Sequence, residues 1–340
     1  MKPLNVLLTA ASRRVPLVRA FQSALRDLGL AGRVVVTDVN PTSPAVHIAD
    51  RWFGVPFATD PAYIDSVLDI CTAERVELVV PTIDDELVLF GQAKERFESR
   101  GIRVAVSPAL TSRICNDKFQ TAVSFRACGV AVADTCLPGG LPASPIFPLF
   151  IKPRSGRGSV GAFPVSNARQ LDFFLDYVAD PVVQEFLDGP EFTIDVLCDD
   201  RGKPLSIVPR ERVVIRAGVI DRGRTVRDRG LTDLALSVVR ALPFVGAVNI
   251  QCRVVAGRPV MFEINPRFSG GIPLTIAAGA DFPRMLLQLT RGQRVRPCIG
   301  EYRSDLWMTN YEESVFLEAE PASGCLTPVR PAAFAVGAVA

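Results

Sequence analysis

Val260-Met261-Phe262-Glu263-Ile264-Asn265-Pro266-Arg267-Phe268-Ser269-Gly270-Gly271 sets a carboxylate, an amide and a guanidinium at alternate positions of an apolar run. Alternate side chains of a strand point to the same side, so Glu263, Asn265 and Arg267 are expected on one face. The apolar lead-in implies a buried sheet, where a carboxylate without a cation or hydrogen-bond donors is costly. Upstream, residues 247–251 read as a strand and residues 256–259 as a hairpin turn, which returns Gln251 to the level of Glu263. Carboxylate and amide oxygens suit Mg²⁺, which keeps some waters and completes its shell from substrate phosphates. Arg267 then suits a phosphoryl oxygen or a substrate carboxylate. The plainer alternative is a β-hairpin with a polar rim, ended by Pro266.

A chain of 340 residues exceeds a single hydrophobic core and suggests two or three packed units. The net charge of +2, with both signs interleaved, gives no case for a nucleic-acid partner. No apolar run reaches the length of a membrane span and no secretory h-region opens the chain, so a cytoplasmic protein without a membrane partner is expected. The eight cysteines form no C-x-x-C pair and read as reduced packing residues, Cys325 among them. His47 is the only histidine, which argues against a zinc site or a histidine-based triad and reads as a loop residue.

Residues 5–9, 33–37, 78–80 and 103–106 are strand-like and are separated by helical patterns, the order of a parallel α/β sheet. Leu17, Phe21, Ala24, Leu25 and Leu28 share a helix face that Gly29 closes. Asp60-Pro61 and Asp84-Asp85-Glu86 read as later helix starts. The turn Thr9-Ala10-Ala11-Ser12-Arg13-Arg14 lacks the glycines of a dinucleotide-binding loop. Ser12, Arg13, Asp38 and residues 81–84 lie at carboxyl ends of strands, where open α/β sheets bind ligands. Either they touch a second substrate, or Asp38 and Asp84 merely end a strand and begin a helix. Residues 137–145 read as a Pro/Gly linker, with a new unit near Phe150. Residues 305–316 are strand-like, and the small-residue tail from Pro331 has no assignable role.

The metal-type motif resembles the ATP-grasp superfamily, and more closely stand-alone proteins similar to one synthetase half of the carbamoyl phosphate synthase large subunit, over residues 4–295. The resemblance implies an α/β (α+β) chain of ATP-grasp fold with an N-terminal Rossmann-like parallel domain. It implies a division into residues 1–107 (Rossmann-like), 108–185 (ATP-grasp subdomain with a glycine-rich lid loop), 186–300 (subdomain with the Mg²⁺/phosphate site) and a C-terminal extension, 301–340. It makes Gln251, Glu263 and Asn265 ligands of two Mg²⁺ ions on ATP, with Mn²⁺ able to substitute, and Arg267 the contact to the transferred group.

Only five of the 38 basic residues are lysines, and Lys118 and Lys152 fall where the resemblance expects nucleotide-binding lysines. Lys152 opens Lys152-Pro153-Arg154-Ser155-Gly156-Arg157-Gly158-Ser159-Val160-Gly161, whose small residues let backbone N–H groups approach anionic oxygens. By resemblance this loop, through Ser155, Gly156, Gly158, Ser159 and Gly161, closes over the β- and γ-phosphates; Arg157 is either a phosphate clamp or turned outward. In residues 182–195 the resemblance sets the adenine against Glu185, Phe186 and Leu187, and the ribose against Glu191. Arg210, Arg212 and Arg216 share a face if the chain stays extended. Arg210 and Arg212 are the candidates for the γ-phosphate or acyl phosphate, while Arg216 is equally a solvated position. Residues 217–229, rich in Gly, Asp and Arg, read as a mobile covering loop.

The implied reaction transfers the γ-phosphoryl group of ATP to a carboxylate and lets an amine displace phosphate, by alignment and charge neutralisation. Its partners are a small carboxylate and an amine; a homodimer is left open. Phosphorylation of bicarbonate or carbamate, and a nucleotide-binding regulatory protein without chemistry, are the competing readings.

Overall fold

The computed structural model describes residues 3–216, 218–319 and 326–329. Cys325 and the tail from Pro331 lie outside the described residues, as does Ala217.

The first unit alternates β1 (Asn5–Leu8), α1 (Val15–Asp27), β2 (Val34–Asp38), β3 (Arg51–Gly54), α2 (Tyr63–Ala73), β4 (Val76–Val80), α3 (Asp84–Glu98) and β5 (Arg103–Val104). Its sheet runs β3-β2-β1-β4-β5 with every neighbour parallel. Both faces of the central strands are covered, which is why β1, β2 and β4 are mostly apolar: Val6 and Leu8 enter one core and Leu7 the other. The edge strand β3 was not legible in the sequence, because its four residues are mostly exposed and carry no apolar alternation.

α4 (Ala109–Asn116) and α5 (Lys118–Ala127) lead into a four-stranded antiparallel sheet of order β6-β9-β7-β8. Its strands are β6 (Thr135–Cys136), β7 (Leu149–Pro153), β8 (Phe163–Val165) and β9 (Pro181–Glu185). α6 (Ala168–Tyr177) packs on it through Leu171, Phe174 and Leu175 around Ile151 and Val183.

The largest sheet contains β10 (Glu191–Cys198), β11 (Pro204–Arg216), β12 (Val219–Thr225), β13 (Gly246–Val255), β14 (Arg258–Asn265) and β15 (Trp307–Thr309), in the order β14-β13-β10-β11-β12-β15. α7 (Arg229–Ala241) covers one face; Leu231, Ala235 and Val238 meet Ile194, Val248, Ile250 and Ile264 there, together with Cys115 and Phe125 of α4 and α5. α8 (Ile272–Ala277) and α9 (Phe282–Thr290) return to the first unit, where Phe268, Phe282 and Leu286 share the core of Phe21 and Val18. Phe21 and Phe268 meet edge to face at 6.1 Å.

Two expectations are corrected. Residues 219–225 are a strand rather than part of a covering loop: backbone pairing to β11 and β15 holds this Gly- and Arg-rich stretch, which has few apolar anchors of its own. The stretch 305–316 is not one strand; only Trp307–Thr309 pairs, and the chain is irregular until a separate hairpin of β16 (Phe316–Ala319) with β17 (Leu326–Val329). Among the described residues no helix is long and apolar enough to cross a membrane, and Cys71, Cys115, Cys128, Cys136, Cys198, Cys252 and Cys298 are free thiols.

Candidate active site

Strand alternation gives the largest sheet two unlike faces. Val248, Ile250, Cys252 and Ile264 enter the core under α7, so their neighbours Asn249, Gln251, Glu263 and Asn265 are turned to the opposite side. Gln251 stands opposite Glu263 on one side and Thr193 on the other, and Asn249 opposite Asn265 and Asp195. Asn265 Nδ2 donates to Glu263 Oε1 at 3.1 Å. The register shifts after Gln251, which leaves Phe262 as an extra residue on β14. Such a bulge re-aims the local backbone, and the Phe262 carbonyl accepts from Lys152 Nζ at 3.1 Å, with the ammonium 5.5 Å from the ring.

The donors Gln251, Glu263 and Asn265 comprise one carboxylate and two amides, and no group of three His, Cys, Asp or Glu suited to a metal exists among the described residues. That set fits a hard cation that draws its remaining oxygens from water or phosphate, and does not fit a closed structural metal site. Gln251 and Glu263 line a cavity of about 250 Å³. Asn265 is not among the residues that line the cavity.

Lys152, on β7, is 4 % exposed. Burial pushes its ammonium down to about 8; Lys118 adds to the effect and Glu263 opposes it. Lys118 begins α5, capped by Asp117, and its Nζ donates to the Gly156 carbonyl at 2.9 Å. Ser155, Gly156 and Ser159 line the cavity, whereas Gly158 and Gly161 do not. Gly158 instead meets the β11–β12 turn so closely that a Cβ on Gly218 would come within 2.8 Å of its carbonyl carbon. The glycine loop and the β11–β12 turn therefore meet at Gly158 and Gly218.

The far wall is Glu185, Phe186, Leu187 and Glu191. Glu185 Oε1 accepts from the Asp134 backbone N–H at 2.8 Å. Glu191 is gripped from two sides, by Arg212 Nη1 at 2.6 Å and by Arg253 Nη2 at 2.8 Å. Arg212 also donates to Gln251 Oε1 at 3.0 Å and to the Gly218 carbonyl at 2.7 Å. Arg253, which donates to the Gly189 carbonyl at 3.2 Å, was missed in the sequence, although it stands two residues beyond Gln251 on the same strand face.

The three arginines of β11 have separate fates. Arg212 reaches the cavity. Arg210 does not; it is 1 % exposed, donates from Nε to Asp195 at 2.8 Å and from Nη2 to Ser269 Oγ at 3.0 Å. It lies directly under the glycine turn, since a Cβ on Gly271 would stand 2.3 Å from its Nη1. Arg216 is exposed and pairs with Asp221 and Glu312, because register shifts on both sides of Val214 break the parity that extended reading assumes.

Beyond β14 the chain meets the first unit. Arg267 places Nε and Nη2 on Asp84 Oδ2, at 3.1 and 2.8 Å. Arg157, from the glycine loop, lines the cavity and forms an ion pair with Asp85. Asp38 acts locally, its carboxylate accepting the backbone N–H groups of Ser12 and Asn40 at 2.6 and 2.9 Å. Arg13 is exposed, and His47 lies in a short 3-10 turn with Nε2 2.8 Å from the Pro41 carbonyl.

Comparison with known proteins bears on this arrangement. Residues 178–313 match a family described as "ATP-grasp in the biosynthetic pathway with Ter operon", and residues 6–105 match "PylC-like, N-terminal domain". The chain is 24 % identical over 270 residues to the carbamoyl phosphate synthase arginine-specific large chain of Bacillus subtilis, a match that covers 74 % of this chain and 25 % of that one. It is 26 % identical over 315 residues to the D-alanine–D-alanine ligase of Azoarcus sp., covering 83 % of this chain and 98 % of the ligase. Among solved structures, the biotin carboxylase domain of Hydrogenobacter thermophilus 2-oxoglutarate carboxylase, crystallised with MgADP, ADP and bicarbonate, superposes with a TM-score of 0.70 at 15 % identity, covering 90 % of this chain and 74 % of that one. The chain thus spans about a quarter of the carbamoyl phosphate synthase chain that it matches.

Proposed function

We propose that this chain, a member of the ATP-grasp superfamily, is a cytoplasmic ADP-forming carboxylate–amine ligase. The observation that carries the reading is the convergence of Gln251, Glu263, Arg212, Lys118 and Lys152 on one cavity beside the glycine loop. A carboxylate oxygen of the acid attacks the γ-phosphorus of ATP, the bond to the β–γ bridging oxygen breaks, and ADP leaves. The amine nitrogen then attacks the acyl carbon, the carbon–oxygen bond to phosphate breaks, and the amine gives up a proton as phosphate departs.

Such a transfer demands positioning and charge neutralisation more than covalent help from protein. In this reading Lys118, Lys152 and the backbone of Ser155, Gly156 and Ser159 cradle the phosphates. Glu185, Phe186 and Leu187 face the adenine, and Glu191, oriented by Arg212 and Arg253, faces the ribose. Glu263, with Gln251 and Asn265 beside it, would hold Mg²⁺, which when bound neutralises phosphate charge. Two such ions, and Mn²⁺ as a substitute, belong to the reading and are counted by metal titration of nucleotide binding. Arg212 supplies charge at the transferred group; Arg210 positions the Ser269–Gly271 turn from beneath; Arg267 faces the acyl side.

The test is ADP release from MgATP across pools of amino acids, other carboxylates, amines and bicarbonate. Turnover that needs one acid and one amine supports the ligase, and turnover with bicarbonate alone replaces it by the carbamoyl-phosphate type. Tight MgATP binding with no turnover on any pool favours a nucleotide-binding regulatory protein. Glu263→Gln should lower turnover about 100-fold or more while the protein stays folded. Wild-type turnover by that variant would remove Glu263 from the site.

A further inference from the structure

The β1–α1 turn adopts a glycine-like backbone without glycine. Ala10 and Ser12 have φ values of 45° and 42°, a conformation that costs L-residues energy and persists where the surroundings hold it. Three ties hold it here. Ser12 donates its backbone N–H to Asp38, Thr82 Oγ1 donates to the Ala10 carbonyl at 3.1 Å, and the Ala45 N–H donates to the Ser12 carbonyl at 3.1 Å. The result is to deliver Arg14 into the joint between the first sheet and the end of β14. Its Nη2 donates to the Thr82 carbonyl at 2.9 Å and its Nη1 to the Phe268 carbonyl at 3.2 Å.

The charges at this joint do not balance. Arg14, Arg157 and Arg267 converge there from three separate elements, and their acidic partners are Asp84 and Asp85. Arg267 hydrogen-bonds to Asp84 and Arg157 pairs with Asp85, while Arg14 hydrogen-bonds to two carbonyl oxygens and meets Asp84 only through its charge. Burial, with the charge of Arg267 next, holds the Arg14 guanidinium down to about 9. A half-buried guanidinium held by carbonyl oxygens and set beside a second one is a place where an added anion is favourable. The joint also lies beyond the carboxyl ends of β1 and β4, where open α/β sheets take ligands.

We propose that Arg14 is the specificity-determining residue for the acid substrate, gripping its carboxylate at the joint beside Arg267. The inference rests on the ligase reading above and adds to it the residue that selects a carboxylate from the side of the first unit. Exposed Arg13, adjacent in sequence, has no part in it.

The experiment measures binding of acetate, malonate, the 20 common L-amino acids and inorganic phosphate to the full-length protein, by calorimetry in the presence of Mg²⁺ and β,γ-methylene ATP. Wild type, Arg14→Gln, Arg14→Lys and Arg13→Gln are compared. The expected result is saturable binding of at least one carboxylate by wild type and by Arg13→Gln, weakened tenfold or more in Arg14→Gln and partly restored in Arg14→Lys. Affinity for the nucleotide analogue should change less than twofold throughout. A purely structural strut would instead lower thermal stability and nucleotide affinity together, without rescue by charge, and that result overturns the proposal. Equal carboxylate affinity in wild type, Arg14→Lys and Arg14→Gln overturns it, as does saturation by phosphate alone or no saturable carboxylate binding by wild type. Failure of the nucleotide analogue to bind wild type sinks the ligase reading and this inference with it; nucleotide binding without dependence of carboxylates on Arg14 sinks the inference alone.

Discussion

Asp195 and Glu86 are both buried carboxyl groups, one in the largest sheet and one against the first, yet their surroundings are opposite in kind. Asp195 Oδ2 accepts from Arg210 Nε at 2.8 Å and from Thr275 Oγ1 at 2.5 Å. Glu86 has a phenol instead of a cation: Tyr63 donates to it at 2.5 Å. Burial lifts Glu86 to about 7 and drives the Tyr63 hydroxyl far above its ordinary value. A buried acid escapes the cost of its charge by keeping a proton or by keeping a cation. The first sheet uses the proton. The sheet that bears the polar face uses the cation, and so binds the turn after β14 to β10 and β11 through one guanidinium.

Removing half of the Asp195–Arg210 pair should have the largest effect. Asp195→Asn is expected to cost about 3–5 kcal/mol in denaturant unfolding, because it strands a buried guanidinium. The double variant Asp195→Leu with Arg210→Met should be less destabilised than either single change. If the single changes are mild, the pair is not the tie between turn and sheet that the geometry describes.

Glu86 should give a smaller, pH-dependent effect. Its folded pKa of about 7 exceeds the ordinary 4.5, so between those values the folded state binds more proton than the unfolded one. The contribution is fully present below pH 4.5 and is lost as pH rises through about 7. Glu86→Gln should flatten that slope and leave the protein up to about 3 kcal/mol more stable than wild type at pH 8. Identical pH profiles for the two proteins would mean that Glu86 is charged in the fold and that the contrast with Asp195 is false.

The smallest effect belongs to an exposed pair. Arg157 and Asp85 are 48 and 55 % exposed, and Arg157→Ala should cost about 0.2–1 kcal/mol, less in high salt. A larger loss, unmoved by salt, would show that the pair holds the glycine loop to the first unit more firmly than its exposure allows.

The hairpin carrying Gln251, Glu263 and Asn265 was legible because its logic is local: strand parity and a short turn decide which side chains meet. Parity also served for Arg210 and Arg212. It failed at Arg216, where irregular pairing around Val214 resets the faces, and at residues 219–225, where a strand is stabilised by its neighbours rather than by its own apolar residues. Parity could have found Arg253. It could not have separated Arg212, which reaches the cavity, from Arg210, which is sealed beneath a glycine turn 59 residues further on.

The amino-acid sequence by itself determined the alternation of strands and helices in the first unit, the polar face of the β13–β14 hairpin and the glycine loop behind Lys152, since each follows from residues within about a dozen positions of one another. Only the tertiary structure decided that Arg267 takes Asp84, 183 residues away, that Arg157 takes Asp85, and that Arg14 rather than Arg13 enters the joint. Along a chain one arginine reads like any other arginine, and one aspartate like any other aspartate. Which of them become partners depends on where packed elements exclude water and bring opposite charges together, and that is set by the assembled cores rather than by spacing in the sequence.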